Sequence, residues 1–268
     1  MILFPPAKIN IGLNILRKRN DGFHEIASLM TPIGLCDIME IVPSDHFSFR
    51  LSGIAIDGNE EDNLCIKAHR KLQSKRSFPE AQIHLMKIIP FGAGLGGGSS
   101  DAAYVMKGLN ELFELGFTNE ELKDFLSELG SDCPFFVDEC SQYAEGRGEI
   151  LSQMPIDLSS YYIKLINPGI HIGTAEAYSA VLPNANRQEL KEVLDQPISM
   201  WKDSIENDFE RSVFPLYPEL ESIKNHLYAE GAIYASMSGS GSSMYGLFDS
   251  EPSKTYPDYF EYISQLSS

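Results

Sequence analysis

An α+β fold in two lobes is what this sequence predicts, and three observations carry the prediction. Segments of strand character fill the first ninety residues, helical spacing takes over after a glycine-rich run at Pro90–Ser100, and both signals mix beyond residue 160. The 268 residues are enough for one large or two smaller domains, and we place the division at 1–155 and 156–268. A chain of this length buries roughly three quarters of its unfolded surface, so the core needs no staple.

The elements follow in order. Ile9, Ile11, Leu13 and Ile15 alternate with Lys8, Asn10, Gly12 and Asn14, the period of a strand with one buried side. Strand character returns at Gly34–Val42, Phe47–Leu51 and Gln82–Ile89, with a helix at Asn63–Gln73. After the glycine run, Ala102, Val105, Met106, Leu109 and Phe113 recur at helical steps, predicting a helix begun by Ser99 or Ser100 and ended by Gly116. Thr118-Asn-Glu-Glu121 is a capping box for a second helix through Leu122, Phe125 and Leu129, stopped by Gly130. Beyond these come a strand at Tyr161–Ile166, a loop at Asn167–Gly169, a polar helical region at about Asn186–Leu227, and a small-residue loop with a strand in Ala235–Phe248.

Composition narrows the function classes. Hydrophobic residues make up 43% and charged residues 22%, and the net charge is −17. Such a surface repels nucleic-acid backbones and anionic membranes, although a single loop can still build a local anion site. No apolar run approaches the ~18 residues of a membrane span. The first residues show no basic-then-apolar leader, so a cytoplasmic location is expected. Cys36, Cys65, Cys133 and Cys140 have neither C-x-x-C pairing nor metal-ligand spacing and read as free thiols; no metal ligand is assigned. Nothing in the pattern specifies an oligomeric state.

Pro90-Phe-Gly-Ala-Gly-Leu-Gly-Gly-Gly-Ser-Ser100 lies between a strand and a helix. Glycines allow positive φ and close backbone approach, and the helix N-terminus behind them offers free N–H groups and the positive end of a dipole: an anion site. Ser99 and Ser100 add hydroxyls that can donate or ligate magnesium. Gly92-x-Gly94-x-x-Gly97 fits the dinucleotide fingerprint, but that unit needs a parallel strand after the helix, and a second helix follows here. The lysine of a Walker A loop is missing too.

Phosphoryl transfer also requires a cation and a group that positions the accepting hydroxyl. Asp132, in Gly130-Ser-Asp-Cys-Pro-Phe-Phe136, reads equally as that base or as an N-cap with Pro134 behind it. Lys8 reads as a solvated strand residue or as a partner that keeps such a carboxylate ionised. Asn10 is two residues on, about 7 Å away on the same face.

Together, Pro6-Ala-Lys-Ile-Asn10, Asp21-Gly-Phe-His24, Asp62-Asn-Leu64, Pro90–Ser100, Leu129-Gly-Ser-Asp-Cys-Pro-Phe135 and Ser238-Gly-Ser-Gly-Ser-Ser243 resemble the GHMP kinase superfamily, in order and over nearly the whole chain. The resemblance implies an N-terminal lobe like ribosomal protein S5 domain 2, a ferredoxin-like C-terminal lobe, and use of ATP with Mg²⁺. It implies catalytic roles for Lys8 and Asp132. It places Pro90, Gly92, Gly94, Leu95, Gly96, Gly97, Gly98, Ser99 and Ser100 at the phosphates, and Asn63, Leu64 and Lys87 around adenine and ribose. Asp21–His24 sets the chain apart from mevalonate and homoserine kinases and points to a small-molecule acceptor carrying a cytidine diphosphate group. Asn10, Phe23, His24, Tyr178, Ser238, Gly239 and Ser240 are then the acceptor side, with His24 reading the cytosine edge between the rings of Phe23 and Tyr178. Phe23 stands where the family usually has tyrosine, Tyr178 where it has phenylalanine, Gly173 where proline is common, and Ser131 where alanine is usual. Another small-alcohol kinase of the superfamily and a non-catalytic nucleotide sensor are the competing expectations.

Overall fold

The computed structural model describes residues 1–55 and 59–266. Within them the chain forms β1 (Ile2–Leu3), β2 (Pro6–Lys18), β3 (His24–Cys36), β4 (Ile38–Pro43), β5 (Ser48–Gly53), α1 (Leu64–Lys75), β6 (Ala81–Lys87), α2 (Gly97–Leu112), α3 (Asn119–Ser127), β7 (Gln142–Glu145), β8 (Ile150–Gln153) and β9 (Tyr162–Asn167). Then follow α4 (Thr174–Ser179), α5 (Leu190–Leu194), α6 (Trp201–Ser204), α7 (Phe209–Val213), α8 (Pro218–Glu230), β10 (Tyr234–Met237), β11 (Met244–Phe248) and β12 (Phe260–Gln265). The elements sort into two compact units that interleave along the chain, where a single division after residue 155 was expected. One unit holds Met1–Lys8, Leu35–Phe91 and Gly96–Glu139; the other holds Ile9–Gly34, Gly92–Leu95 and Cys140–Ser268.

The first unit is a sheet in the order β1-β4-β6-β5, with only the β5–β6 pairing parallel among its described neighbours. Along β6 burial alternates strictly, so Ala81, Ile83, Leu85 and Lys87 share the covered face. Lys87 thereby enters the interior by register. Helix α2 packs against α1 and β4, and a Cβ at Gly108 would fall 2.6 Å from Leu3 and 2.8 Å from Ile41. The capping box at Thr118 and Glu121 forms as expected.

Two expectations shift in this unit. Helix α2 begins at Gly97, earlier than Ser99, because Gly96 takes the left-handed conformation at the N-cap and the following glycines turn helical. The strand expected at Gly34–Val42 is broken at Asp37, which is fully buried; its carboxylate accepts from Ile89 N at 2.9 Å and so does the work of a sheet partner.

The second unit holds the sheet β2-β3-β7-β8 and the antiparallel sheet β10-β11-β9-β12. Leu13, Ile15, Ile26, Ile166, Phe209, Leu220, Leu227 and Met244 share one apolar cluster. Contrary to the expectation of one wet side, β2 is buried on both faces from Ala7 to Ile15. A Cβ at Gly12 would meet Leu190 and Ile205 at 2.8 Å, and Asn14 Oδ1 accepts from Arg187 at 2.6 Å. The polar helical region resolves into the short helices α5, α6, α7 and the longer α8. Buried Asn207 and Asp208 interrupt it, Asp208 accepting from Ile15 N at 2.7 Å and from Arg187 at 2.8 Å. Strands β7, β8 and β12 lack strong alternation and were not expected.

Candidate active site

In the first unit, Lys8 and Asp132 meet. Lys8 Nζ lies 3.6 Å from Asp132 Oδ2. Burial pulls the lysine below its ordinary pKa, and the Asp132 charge partly restores it. Asp132 stands at the N-cap position of the turn Cys133–Val137, yet its side chain makes no capping hydrogen bond. Its carboxylate is therefore not spent on the backbone of that turn.

The start of α2 adjoins this pair. A Cβ at Gly96 would sit 2.8 Å from Phe136 and 3.2 Å from Cε of Lys8, so the lysine stem runs against the loop where only glycine fits. Gly96 has no side chain to cap the helix, which leaves the first N–H groups of α2 to a ligand or water. Ser100 Oγ is buried without a hydrogen-bond partner among the described residues. An orphaned hydroxyl at a glycine-lined helix start suits a phosphate or a phosphate-bound cation.

Beneath this helix lies a buried ion triad. Lys87 Nζ binds Asp37 and, at 2.7 Å, Asp101. Burial pushes the Asp101 carboxyl up to about 7, Lys87 opposing and the Asp37 charge assisting. Burial also depresses Lys87, but the two carboxylates outweigh it and the net shift is upward. Lys87, expected around adenine and ribose, is 2% exposed and spends its ammonium on two aspartates. Asn63 caps α1, its Oδ1 accepting from Cys65 N at 2.8 Å, and Leu64 opens that helix half-buried. Pro90 is half-buried and Phe91 exposed.

The second unit holds the middle of the loop and the remaining candidates. Gly94 is left-handed, and a Cβ there would fall 2.0 Å from Ser238 O. Ser238 Oγ donates to Gly94 O at 2.9 Å, and Ser243 N donates to Ala93 O at 3.1 Å. A Cβ at Gly239 would also touch the Gly94 carbonyl, at 3.1 Å; Ser240 is half-buried. Asn10 joins the group, its N–H donating to Ser238 Oγ at 3.3 Å and its Nδ2 to Ser28 Oγ at 2.8 Å.

His24 and Tyr178 stack with centroids 4.8 Å apart and planes at 14°, and Phe209 meets Tyr178 edge-on at 4.7 Å. Burial and the nearby charge of Lys18 hold His24 below the usual histidine range. Phe23 immediately precedes β3. It is 53% exposed, and the Arg147 guanidinium sits 4.8 Å from its ring centroid. The structure thus gathers Lys8 with Asp132 and Gly96, Ser238 and Gly239 with Gly94 and Asn10, and His24 with Tyr178. It adds Asp37, Asp101, Arg147 and Asn207, which the sequence reading passed over. Asp37 carried a signal, an acid set among Leu35, Cys36, Ile38 and Met39; Arg147 carried none.

The model for the GHMP kinases N terminal domain matches residues 63–138, and that for the GHMP kinases C terminal matches 188–255. A 4-diphosphocytidyl-2-C-methyl-D-erythritol kinase of Parabacteroides distasonis is 46% identical, with all of both chains aligned. The kinase of that name from Azobacteroides pseudotrichonymphae is 48% identical over 92% of this chain and 93% of its own. A crystal structure of 4-(cytidine 5'-diphospho)-2C-methyl-D-erythritol kinase superposes with a TM-score of 0.80 at 31% identity, covering 92% of this chain and 90% of the other. The Methanococcus jannaschii mevalonate kinase, at 13% identity and a TM-score of 0.71 over 100% and 98% of the two chains, shares the fold. The chain belongs to the GHMP kinases, a family of ATP-dependent phosphotransferases, and within it to the group of its 4-diphosphocytidyl-2-C-methyl-D-erythritol kinase relatives.

Proposed function

We infer that this chain transfers the γ-phosphoryl group of ATP to the 2-hydroxyl of 4-diphosphocytidyl-2-C-methyl-D-erythritol, a step of non-mevalonate isoprenoid precursor synthesis. The observation that carries the mechanism is the Lys8–Asp132 pair set against Gly96 at the start of α2. Asp132, uncommitted to capping and one third exposed, takes the proton of the accepting hydroxyl. Lys8, 3.6 Å from that carboxylate, orients the hydroxyl. The N–H groups of Gly97, Gly98 and Ser99 hold the phosphates, with Pro90, Gly92, Gly94 and Leu95 shaping the approach. Asn63 and Leu64 stand toward adenine and ribose.

Ser99 and Ser100 are the loop hydroxyls suited to Mg²⁺, which when bound neutralises charge on the transferring group. The orphaned Ser100 hydroxyl fits that use, and oxygen ligands shared with phosphates suit this ion. The acceptor is a small molecule carrying cytidine diphosphate. His24 and Tyr178 take the base, Phe23 gives a further apolar face, and Asn10, Ser238, Gly239 and Ser240 are further acceptor-side residues. No helix among the described residues is long and apolar enough to cross a membrane, which agrees with the cytoplasmic location that we propose. The test is ADP release from ATP and Mg²⁺ across a panel of alcohols. Release with the cytidyl acceptor alone supports the reading. Equal release with mevalonate or homoserine overturns the acceptor assignment, and ATP binding without acceptor-dependent release overturns catalysis.

A further inference from the structure

The loop segment Ala93–Gly94 is held by Ser238 and Ser243, and that strap is itself held from behind. Asn207 is 1% exposed; its Nδ2 donates to Met237 O and to Gly239 O, each at 2.8 Å, while its Oδ1 accepts from Phe209 N at 3.0 Å. Glu210 is 8% exposed; its Oε1 accepts from Met237 N at 2.9 Å and from Ser236 Oγ at 3.1 Å, and its Oε2 pairs with Lys224 at 2.5 Å. The flanking backbone is tied to β2, Leu13 N donating to Glu206 O at 3.0 Å and Asp208 N to Leu13 O at 2.9 Å.

We propose that Asn207, supported by Glu210, is a positioning residue for ATP: it fixes the Met237 and Gly239 carbonyls and, through Ser238, the conformation of the loop at Gly94. The inference rests on the reading of Pro90–Ser100 as the phosphate loop. Residues 238–243 connect β10 to β11 and are closed on themselves by Ser238 N donating to Ser243 O at 2.9 Å and Gly241 N to Ser238 O at 3.0 Å, while Asn207 and Glu210 anchor that turn to the rest of the unit. The fit at Gly94 has no slack, since even a methyl group there would collide with Ser238 O. A strap displaced by a fraction of an ångström therefore moves the loop with it. Ser238 Oγ and Ser243 N are hydrogen-bond donors through which the displacement passes.

Asn207→Asp separates this role from simple packing. The aspartate still accepts from Phe209 N, but as a carboxylate it cannot donate to either carbonyl. Steady-state kinetics with ATP, Mg²⁺ and the cytidyl acceptor, together with direct titration of ATP, give the result. The expected outcome is an ATP KM and Kd raised about tenfold, the size of one lost hydrogen bond, with the acceptor KM held within about twofold. Glu210→Gln, which retains an acceptor for Met237 N, moves ATP binding less. A folded Asn207→Asp with unchanged ATP KM and Kd overturns the proposal, whatever its melting temperature, as does a change confined to the acceptor KM. Should that variant fail to fold, Asn207→Ser decides by the same readouts. If the wild-type chain releases no ADP with any acceptor, the kinase reading fails instead, and the ATP titration alone still judges the clamp.

Discussion

Lys8 and Asp132 face each other at 3.6 Å with unequal access to water, the lysine side chain 4% exposed and the aspartate 33%. The cation is anchored in the interior while the carboxylate remains open to a ligand. Asp132→Asn keeps the shape and removes the proposed base, so kcat should fall by roughly 10²–10⁴-fold with ATP binding little changed. Single-turnover and ATP titration measurements check this, and near-normal turnover would refute the assignment.

The buried Lys8 loses its proton below the ordinary lysine range, because burial disfavours its charge. Raising the pH through that lowered value neutralises the lysine and slows the reaction. Lys8→Arg stays charged, so its alkaline limb moves to higher pH even where kcat drops. A pH–rate profile that is identical for both proteins would rule out titration of Lys8 as the cause.

Gly94→Ala and Gly98→Ala make a controlled pair. The first forces a methyl to 2.0 Å from Ser238 O at a left-handed φ, so both the melting temperature and ATP turnover fall. The second meets nothing within 4 Å and lies inside α2, where alanine stabilises by about 0.5–1 kcal/mol. Its methyl instead enters the space proposed for phosphate. Thermal melts should therefore separate the two variants while ATP KM rises in both.

Asp101 gives a stability slope with a definite sign. Its folded carboxyl titrates at about 7, above the ordinary aspartate value, so between roughly pH 4 and 7 the folded chain binds more protons than the unfolded one. This contribution is complete at low pH and is lost as pH rises through 7. Asp101→Asn leaves a neutral Lys87–Asp37 pair and flattens that part of the profile, whereas Lys87→Met strands two carboxylates and costs about 3–5 kcal/mol. Urea titrations from pH 5 to 8 distinguish the three proteins.

Phe23→Ala and Tyr178→Ala each remove an aromatic face proposed to meet the cytosine, worth ~1–3 kcal/mol. The KM for the cytidyl acceptor should rise in both with that for ATP unchanged. Tyr178→Ala is the more damaging, since it also strips His24 of its stacking partner and Phe209 of its edge contact. An equal effect on ATP in the two variants would place the rings elsewhere.

Much of the fold was legible where one local rule governed a segment. The capping box at Thr118, the helix after the glycine run and the strand character of β2 and β6 all belong to this kind. Illegible features depend on partners remote in sequence. Alternation on β2 looked like a wet face because nothing near Asn10 or Asn14 announces Ser28, Ser238 or Arg187. The fate of Lys87 was hidden for the same reason, as its partners come from a strand break fifty residues earlier and a helix fourteen residues later. Asn207 read as one polar residue in a polar stretch; its role emerges only when Met237 and Gly239 are beside it.

Ser238 and Gly94, joined by one hydrogen bond, are 144 residues apart in the chain. During synthesis the glycine run leaves the ribosome long before its strap exists, and that loop acquires its observed hydrogen bonds only when the closing stretch follows. A chain cut short of Ser238, by premature termination or by a protease, retains every glycine of the loop and lacks the hydrogen bonds that Ser238 and Ser243 donate to Gly94 and Ala93.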